Sequence, residues 1–560
     1  MRNIVEILLH HADRAPERPA YRFFQGSSLV PDTLSFGEVR QFSCALAARL
    51  QAEGLEGASA LLVCKQQKHF VIAFYACLLA GVIVVPTAPP RRMSLRGRLD
   101  LLARDANVRI VISDLDEMLS NAEEVIGRPA QLFDIRTCLA DEQRDVHAAA
   151  WKMPRLTADS IAFLQYTSGS TGDPKGVMVG HGNLMQNCTV IRPAMDWNEN
   201  TSILTALPLF HDMGLVGGVL ESMFIGCVAN CMPPAEFVQY PERWLQLISK
   251  YGITISGGPN FMYDLASRAI TDEQIAGCDL AGWRVAFCGA EPIRASTIQR
   301  FTERFTSFGF RPQAFFPCYG MAEATLYISG VPMDSLPKID LRDGNPVVGC
   351  GRTNGDTELV IVDAETHRRV AENEIGEIWV RGGSVAPGYW QRPELNARIF
   401  QATIAGEDGA HFMRTGDLGY LKAGDLYVAG RIKDLIILYG KKYAPQDIEN
   451  TAQSAHPALR ADSSIAFAAS DADRERLIVV CELHREWLRR SDAWPEVLAA
   501  VRRAVSEQHG VNVDEVVFIK PGSLPRTSSG KVRRAQARDN YASNSLEQAL
   551  PAPVAQSEPA

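Results

Sequence analysis

Short apolar runs alternating with helix-spaced stretches predict an α/β protein, with a large N-terminal domain of parallel-rich sheets covered by helices. Ala60–Cys64 is wholly apolar and Val108–Ser113 mostly so, as strands buried on both faces are. Phe36–Leu50 instead spaces its apolar residues as a helix does. This βα rhythm runs through residues 1 to about 160 and implies parallel pairing with helical crossovers. The uncharged stretch from Phe70 to Pro90 is broken by Gly81, and its apolar part ends near Val85, ahead of Pro86, Pro89 and Pro90. It falls short of the roughly 20 residues that span a bilayer, and reads as a buried helix, a glycine turn and a buried strand.

The chain has 560 residues, 46% hydrophobic and 22% charged, which is ordinary globular usage with material for a buried core. A net charge of −8 argues against a nucleic-acid partner, which selects a basic face. Twelve cysteines without a regular framework point to a reducing, cytoplasmic compartment. Cys227 and Cys231 are the one close pair, without the second pair a zinc site needs, and read as small buried hydrophobes. Glu6 interrupts the early apolar run, which argues against a signal peptide. A soluble protein without stable membrane insertion is expected.

The chemistry centres on Tyr166–Val179. Behind the strand-like run Ile161–Tyr166, Gly169, Gly172 and Gly176 alternate with Thr167, Ser168, Ser170 and Thr171, and Lys175 closes the loop. Glycines bring backbone N–H groups close to an anion, while hydroxyls and a lysine add donors, so the natural ligand is a polyphosphate. The Walker spacing is absent. A flexible linker is the alternative, but a lysine-tipped loop directly after an apolar strand speaks for phosphate binding.

This stretch resembles the phosphate loop of the adenylate-forming superfamily of acyl-CoA synthetases, peptide-synthetase adenylation domains and luciferases, and the motif order continues to the C-terminus. Val85–Arg92, His211–Gly218, Cys288–Arg294, Pro317–Thr325 and Lys433–Ile437 with Pro445–Glu449 resemble the fatty acyl-AMP ligases more specifically. The resemblance implies a small β-rich subdomain, for which Glu358–Asp363 and Gly376–Arg381 supply strands, and a small, mobile α+β C-terminal domain. The implied boundaries are 1–430 for the adenylation domain, 431–433 for the hinge with Lys433 as its joint, 434–536 for the C-terminal domain, and 537–560 for a polar, proline-rich disordered tail.

It also implies the site. His211 would stand where the carboxylate enters; read alone, a histidine after an apolar run is more readily a satisfied core group. Met213, Gly257, Gly258 and Phe261 would line the acyl tunnel, the glycines leaving room for a chain and Phe261 walling it. Gly289, Ala290 and Glu291 would sandwich adenine through their backbone, with Tyr319 stacking on it and Gly320 and Met321 completing the turn. Glu323 is a hard oxygen ligand of the type Mg2+ prefers, with Thr167 as its partner. Asp417 would anchor the ribose, and Arg431 add a guanidinium of fixed geometry. Lys531 would be the catalytic lysine of adenylation.

The implied reaction is ATP-dependent activation of a fatty acid to an acyl-adenylate, followed by transfer to the phosphopantetheine of a separate acyl carrier protein. An acyl-CoA ligase using free CoA is the alternative within the fold, and a non-enzymatic nucleotide sensor the alternative outside it. Fatty acyl-AMP ligases carry an inserted segment before the Gly349–Arg352 turn, and the corresponding Val331–Val348 is shorter. Pro332, Pro337 and Pro346 favour an extended path there over a helix.

Overall fold

The computed structural model describes every residue except 27, 91–95, 168–173, 343, 408, 439–440, 472–473, 527–531 and 550–560, with backbone alone at 96–98, 442, 470–471 and 474. The described residues form two compact units. The first comprises Met1–Arg342, Pro346–Thr415 and Tyr420–Val428; the second comprises the chain from Ala429 onward with the stretches 343–345 and 416–419.

In the first unit, one six-stranded sheet has the spatial order Gln131–Asp134, Val108–Ser113, Ser59–Val63, Ile83–Pro86, Ile161–Thr167, Lys175–Gly180. Its first five strands run parallel and the last returns antiparallel. Alternate side chains enter two separate cores: Ala60, Leu62, Ile110 and Ile112 on one face, Leu61, Val63, Val111 and Leu164 on the other. Burial on both faces is what the uninterrupted apolar runs demanded. The expected helix forms over Phe36–Ala52, opened by a capping box between Ser35 and Glu38. The uncharged stretch becomes the helix Gln67–Leu79 and the strand Ile83–Pro86. No helix among the described residues is long and apolar enough to cross a membrane.

A nine-stranded sheet carries the next part of the unit. Its middle strands Phe315–Gly320, Val285–Cys288, Ile255–Gly258, Ser202–Thr205 and Val228–Cys231 are parallel neighbours in that order. The C-terminal ends of parallel strands are where open α/β sheets hold ligands. Glu358–Val362, Gly376–Arg381, Met413–Lys422 and Asp425–Arg431 form a four-stranded sheet, and Ile339–Arg342 with Asn345–Val348 a two-stranded one. The 331–348 segment is thus extended, as its prolines require.

The second unit packs the helices Pro445–Ser454 and Trp494–His509 with the three-stranded sheet Leu459–Asp471, Arg474–Leu483, Glu515–Ile519. The expected disordered tail is corrected here. Arg534–Ala542 is a helix, Tyr541 donates to Glu515 at 2.7 Å, and Leu546 is buried beside Ile465, Val517 and Ile519. Tyr541 and Leu546 supply two apolar anchors that the polar composition around them obscured. Residues 537–549 therefore belong to the unit.

All twelve cysteines are described and free, eleven of them in the first unit and Cys481 in the second. Cys227 and Cys231 are both buried.

Candidate active site

The glycine-rich loop springs from the antiparallel strands Ile161–Thr167 and Lys175–Gly180, in register so that Thr167 faces Lys175. Ser168, Gly169, Ser170, Thr171 and Gly172 lie outside the described residues. The loop's stem is tightly built. A Cβ on Gly176 would lie 2.9 Å from Tyr166 Cζ, so glycine lets that ring cross. The Tyr166 hydroxyl donates to Asp105 at 2.6 Å, and Arg392 pairs with the same carboxylate. Burial, and then that carboxylate, push Tyr166 up, keeping it a neutral donor.

The segment 383–390 runs beside the stem. Met178 N–H donates to the Gly388 carbonyl at 2.9 Å and Trp390 N–H to the Gly176 carbonyl at 2.7 Å. The Asn183 amide, one turn into the helix His181–Ala194, donates to the carbonyls of Gly383 and Val385, each at 2.9 Å. Lys175 Nζ lies 5.6 Å from the centre of the Tyr389 ring, within cation–π range. The Tyr389 hydroxyl donates to Glu323 Oε1 at 2.8 Å. The strand end carrying Lys175 and the turn carrying Glu323 thus meet through one phenol.

Glu323 occupies the 3-10 turn Ala322–Ala324 and is 9% exposed. Fully buried Asn187 braces the turn, donating to the Tyr327 carbonyl at 2.9 Å and accepting from Tyr327 N–H at 3.2 Å. Ala386 N–H donates to the Glu323 carbonyl at 2.9 Å, and the Thr325 hydroxyl to the Ser384 carbonyl at 2.7 Å. Thr325 itself has φ 66° and ψ −56°, and Leu326 N–H reaches the Ala324 carbonyl at 2.7 Å. That is a γ-turn of the rare, strained hand, on a β-branched residue, and strain of about 1–3 kcal/mol persists only where surroundings over-determine it. Gly320 is equally constrained, since a Cβ there would overlap the Leu326 carbonyl. Met321 N–H donates to that carbonyl at 2.8 Å, and Tyr319 is buried at the end of the strand Phe315–Gly320.

In the turn after Val285–Cys288, Ala290 adopts φ +67°, and a Cβ on Gly289 would lie 2.9 Å from the Cys318 carbonyl. Glu291 accepts from Phe261 N–H at 2.7 Å, at the N-terminus of the helix Asn260–Ala269 where a carboxylate is favoured. Its side chain therefore works as a helix cap.

The acyl-tunnel expectation needs correction at two positions. The space beside Gly257 is filled by the Phe287 backbone and the Tyr263 hydroxyl, and that beside Gly258 by the Met262 sulfur. Packing alone accounts for glycine at both positions, and their missing side chains open no space into a tunnel. Phe261 and Met213 are half-buried. His211 stands at the N-cap position of the short helix Asp212–Gly214 without a side-chain cap hydrogen bond, and the helix continues as a π-helix over Leu215–Leu220, a form concentrated at functional sites. Its ring lies 5.2 Å from Phe210, whose carbonyl accepts from Gln165 at 2.9 Å, so the loop-bearing strand holds this segment. Immediately after the π-helix, fully buried Glu221 has no nitrogen or hydroxyl donor on either carboxyl oxygen, only the weak Cys188 thiol beside it, and burial raises it to about 8.

In the second unit, Asp417 is buried and Arg431 exposed, and they form an ion pair at 2.8 Å. Lys433 is exposed in the 3-10 turn Ile432–Asp434. Lys531 lies outside the described residues; Arg526 and Val532, on either side of it, form an isolated antiparallel bridge. The unit boundary falls between Val428 and Ala429, ahead of the expected hinge at 431–433.

Sequence reasoning missed Tyr389, Asn187 and Thr325. Gly388-Tyr389-Trp390, a glycine before two aromatics in a connection, was the available signal for the first. Nothing local marks Asn187, whose partners lie 140 residues away.

The model of the AMP-binding enzyme family matches residues 8–390, and that of the Disco-interacting protein 2-like AMP domain matches 433–550. The medium-chain-fatty-acid–[acyl-carrier-protein] ligase JamA of Moorena producens is 37% identical over 97% of this chain and 96% of its own. The long-chain-fatty-acid–AMP ligase FadD26 of Mycobacterium marinum is 34% identical over 97% and 98%. The crystal structure of the fatty acid AMP ligase from Legionella pneumophila superposes with a TM-score of 0.75 at 35% identity, covering 98% of this chain and 97% of the other. This chain belongs to the AMP-binding, adenylate-forming enzymes, and within them to the fatty acyl-AMP ligases.

Proposed function

We propose that this protein joins a fatty acid to the AMP of ATP with release of pyrophosphate, then passes the acyl group to the phosphopantetheine thiol of a separate acyl carrier protein. The observation that carries it is the junction of Lys175, Tyr389 and Glu323 beside the glycine-rich loop. It stands in a chain similar end to end to ligases named for fatty acids and carrier proteins in Moorena producens and Teredinibacter turnerae.

A carboxylate is a poor electrophile, and its attack on an α-phosphate brings two anions together. Charge neutralisation and positioning therefore dominate the chemistry. Lys175 and the loop's backbone N–H groups hold the pyrophosphate end. Tyr319 and the backbone of Gly289 to Glu291, with Gly320 and Met321, hold the base, and Asp417 with Arg431 the ribose. Lys531 bridges the carboxylate and the α-phosphate oxygens, where charge accumulates. His211 lines the carboxylate's entry, with Met213 and Phe261 against the acyl chain. Thiol attack on the acyl carbon then expels AMP, after a swing of the C-terminal domain about Lys433.

Among the described residues, no group of three or more His, Cys, Asp or Glu side chains could hold a metal alone. Mg2+ does not need one, because it takes one or two protein ligands and completes its shell with water and phosphate oxygens. The buried Glu323 carboxylate, oriented by a tyrosine, fits that role, and the Thr167 hydroxyl would be its second ligand. When bound, the ion supplies neutralisation of phosphate charge. The cytoplasm, which offers ATP and keeps twelve thiols reduced, suits the chain.

Free CoA is the competing acceptor, favoured by a 36% identical relative from Mycobacterium tuberculosis named as a putative fatty-acid–CoA ligase. The test is a panel of acids of increasing length with ATP, offering CoA and a phosphopantetheinylated carrier in parallel. Acyl-AMP that persists with CoA and discharges rapidly to the carrier is expected. Acyl-CoA formed at a comparable rate would replace the carrier reading, and no pyrophosphate with any acid would remove the ligase reading altogether.

A further inference from the structure

Tyr389 is held on every side before it touches Glu323. Asn396, on the helix Pro393–Phe400, accepts from Tyr389 N–H at 2.7 Å and donates to the Tyr389 carbonyl at 2.9 Å. That clamp requires Gly388, because a Cβ there would overlap the Asn396 amide. The ring packs edge-on against Phe400 at 5.2 Å, with the Lys175 ammonium 5.6 Å from its centre. Residue 389 also bridges Val177 on the strand returning from the loop. Backbone, ring face and ring edge are each fixed by a different element, so the hydroxyl arrives at one place, the Glu323 carboxylate.

The Glu323 turn needs such a hold. It carries the strained Thr325, and its fastenings on this side, Ser384 and Ala386, belong to the same segment as Tyr389. A carboxylate that meets a cation works only when held within a fraction of an ångström, and partners behind a ligand commonly set that precision.

We propose that Tyr389 is a positioning residue for adenylate formation: it fixes the Glu323 carboxylate and the Lys175 ammonium relative to each other. The acid that would meet Mg2+ and the base that would meet the phosphates are then presented as one preset pair. The proposal rests on the assignment of Glu323 to the Mg2+–phosphate site. Its own content is that the phenolic hydroxyl, and not only the ring, is required.

Tyr389→Phe keeps the ring, its packing and the Lys175 contact and removes one oxygen. It should lower the thermal midpoint by no more than the loss of one buried hydrogen bond does and leave metal-free ATP affinity unchanged. The gain in ATP affinity on adding Mg2+, measured by calorimetry without fatty acid, should shrink. The Mg2+ concentration for half-maximal pyrophosphate release should rise about tenfold, the low end for loss of a residue behind a metal ligand. Asn396→Ala, which loosens the same ring from behind, should give a smaller shift in the same direction. Glu323→Gln is run beside them, and the double variant Glu323→Gln/Tyr389→Phe should be no worse than Glu323→Gln alone. If Glu323→Gln changes the Mg2+ dependence and Tyr389→Phe does not, the tyrosine is packing and the proposal falls while the metal assignment stands. If Glu323→Gln leaves the dependence unchanged, the metal assignment falls and takes the proposal with it.

Discussion

Glu221→Gln should gain stability on the wild type as pH rises. Glu221 is fully buried just after the π-helix, with no nitrogen or hydroxyl donor on either carboxyl oxygen and only the weak Cys188 thiol beside it. Burial raises it from 4.5 to about 8, against smaller opposing effects of the Cys188 thiol and Arg192. An acid raised in the folded state keeps a proton that the unfolded chain releases. Stability therefore falls as pH rises between 4.5 and about 8, and levels off above. At 1.36 kcal/mol per unit, the shift lowers wild-type stability at pH 7 by about 3 kcal/mol. The glutamine amide is itself buried without a partner, which costs about 1–3 kcal/mol but does not vary with pH. The slope is therefore the test. Urea unfolding followed from pH 5.5 to 8.5 should show the variant gaining about 3 kcal/mol on the wild type across that range. Parallel profiles would refute the burial argument and require an unseen partner for the carboxylate.

Lys531→Ala is expected to reduce pyrophosphate release by about a hundredfold or more, the scale of losing one charge-stabilising group. ATP affinity by calorimetry should hardly change, because base, ribose and terminal phosphates are assigned elsewhere, and transfer from supplied acyl-AMP should survive. Equal loss in both half-reactions would undo the assignment. Gly320→Ala forces the Leu326 carbonyl away and with it the turn bearing Glu323. It should lower stability by about 1–3 kcal/mol in thermal unfolding, as overpacking does, and depress adenylation further than that loss explains. A variant with wild-type adenylation would show that the turn tolerates displacement.

The α/β layout was legible because burial on both faces leaves a simple mark: Ser59–Val63 is buried throughout, and Val108–Ser113 everywhere but at Arg109, so apolar residues run on where a half-exposed strand would alternate. The loop stem was legible for a local reason, since the glycines and Lys175 lie within ten residues of each other. Misreadings came where a residue's role depends on what crosses it. Gly257 looks like room for a ligand until the Phe287 backbone is seen to fill it. The Glu291 side chain has a role the local sequence does not show, since its carboxylate closes the helix begun by Asn260 and Phe261. The tail was misjudged because average composition outweighed Tyr541 and Leu546, two side chains sufficient to seat it. Tyr389 was invisible because its partners Lys175 and Glu323 come from distant parts of the chain, and only the folded sheet gathers them.

The cysteines give this molecule an internal clock for opening. Ten of the twelve are buried, and burial pushes Cys481 up to about 12, as it does Cys44 and Cys231. Near pH 8 only about one in ten thousand such thiols is a reactive thiolate, and that one is shielded, so alkylation must wait for local unfolding. Because eleven thiols belong to the first unit and Cys481 alone to the second, the mass of a singly modified C-terminal peptide would count how often that unit opens. Adding ATP, a fatty acid or a carrier and watching which thiols slow would time the two units separately, with no probe introduced.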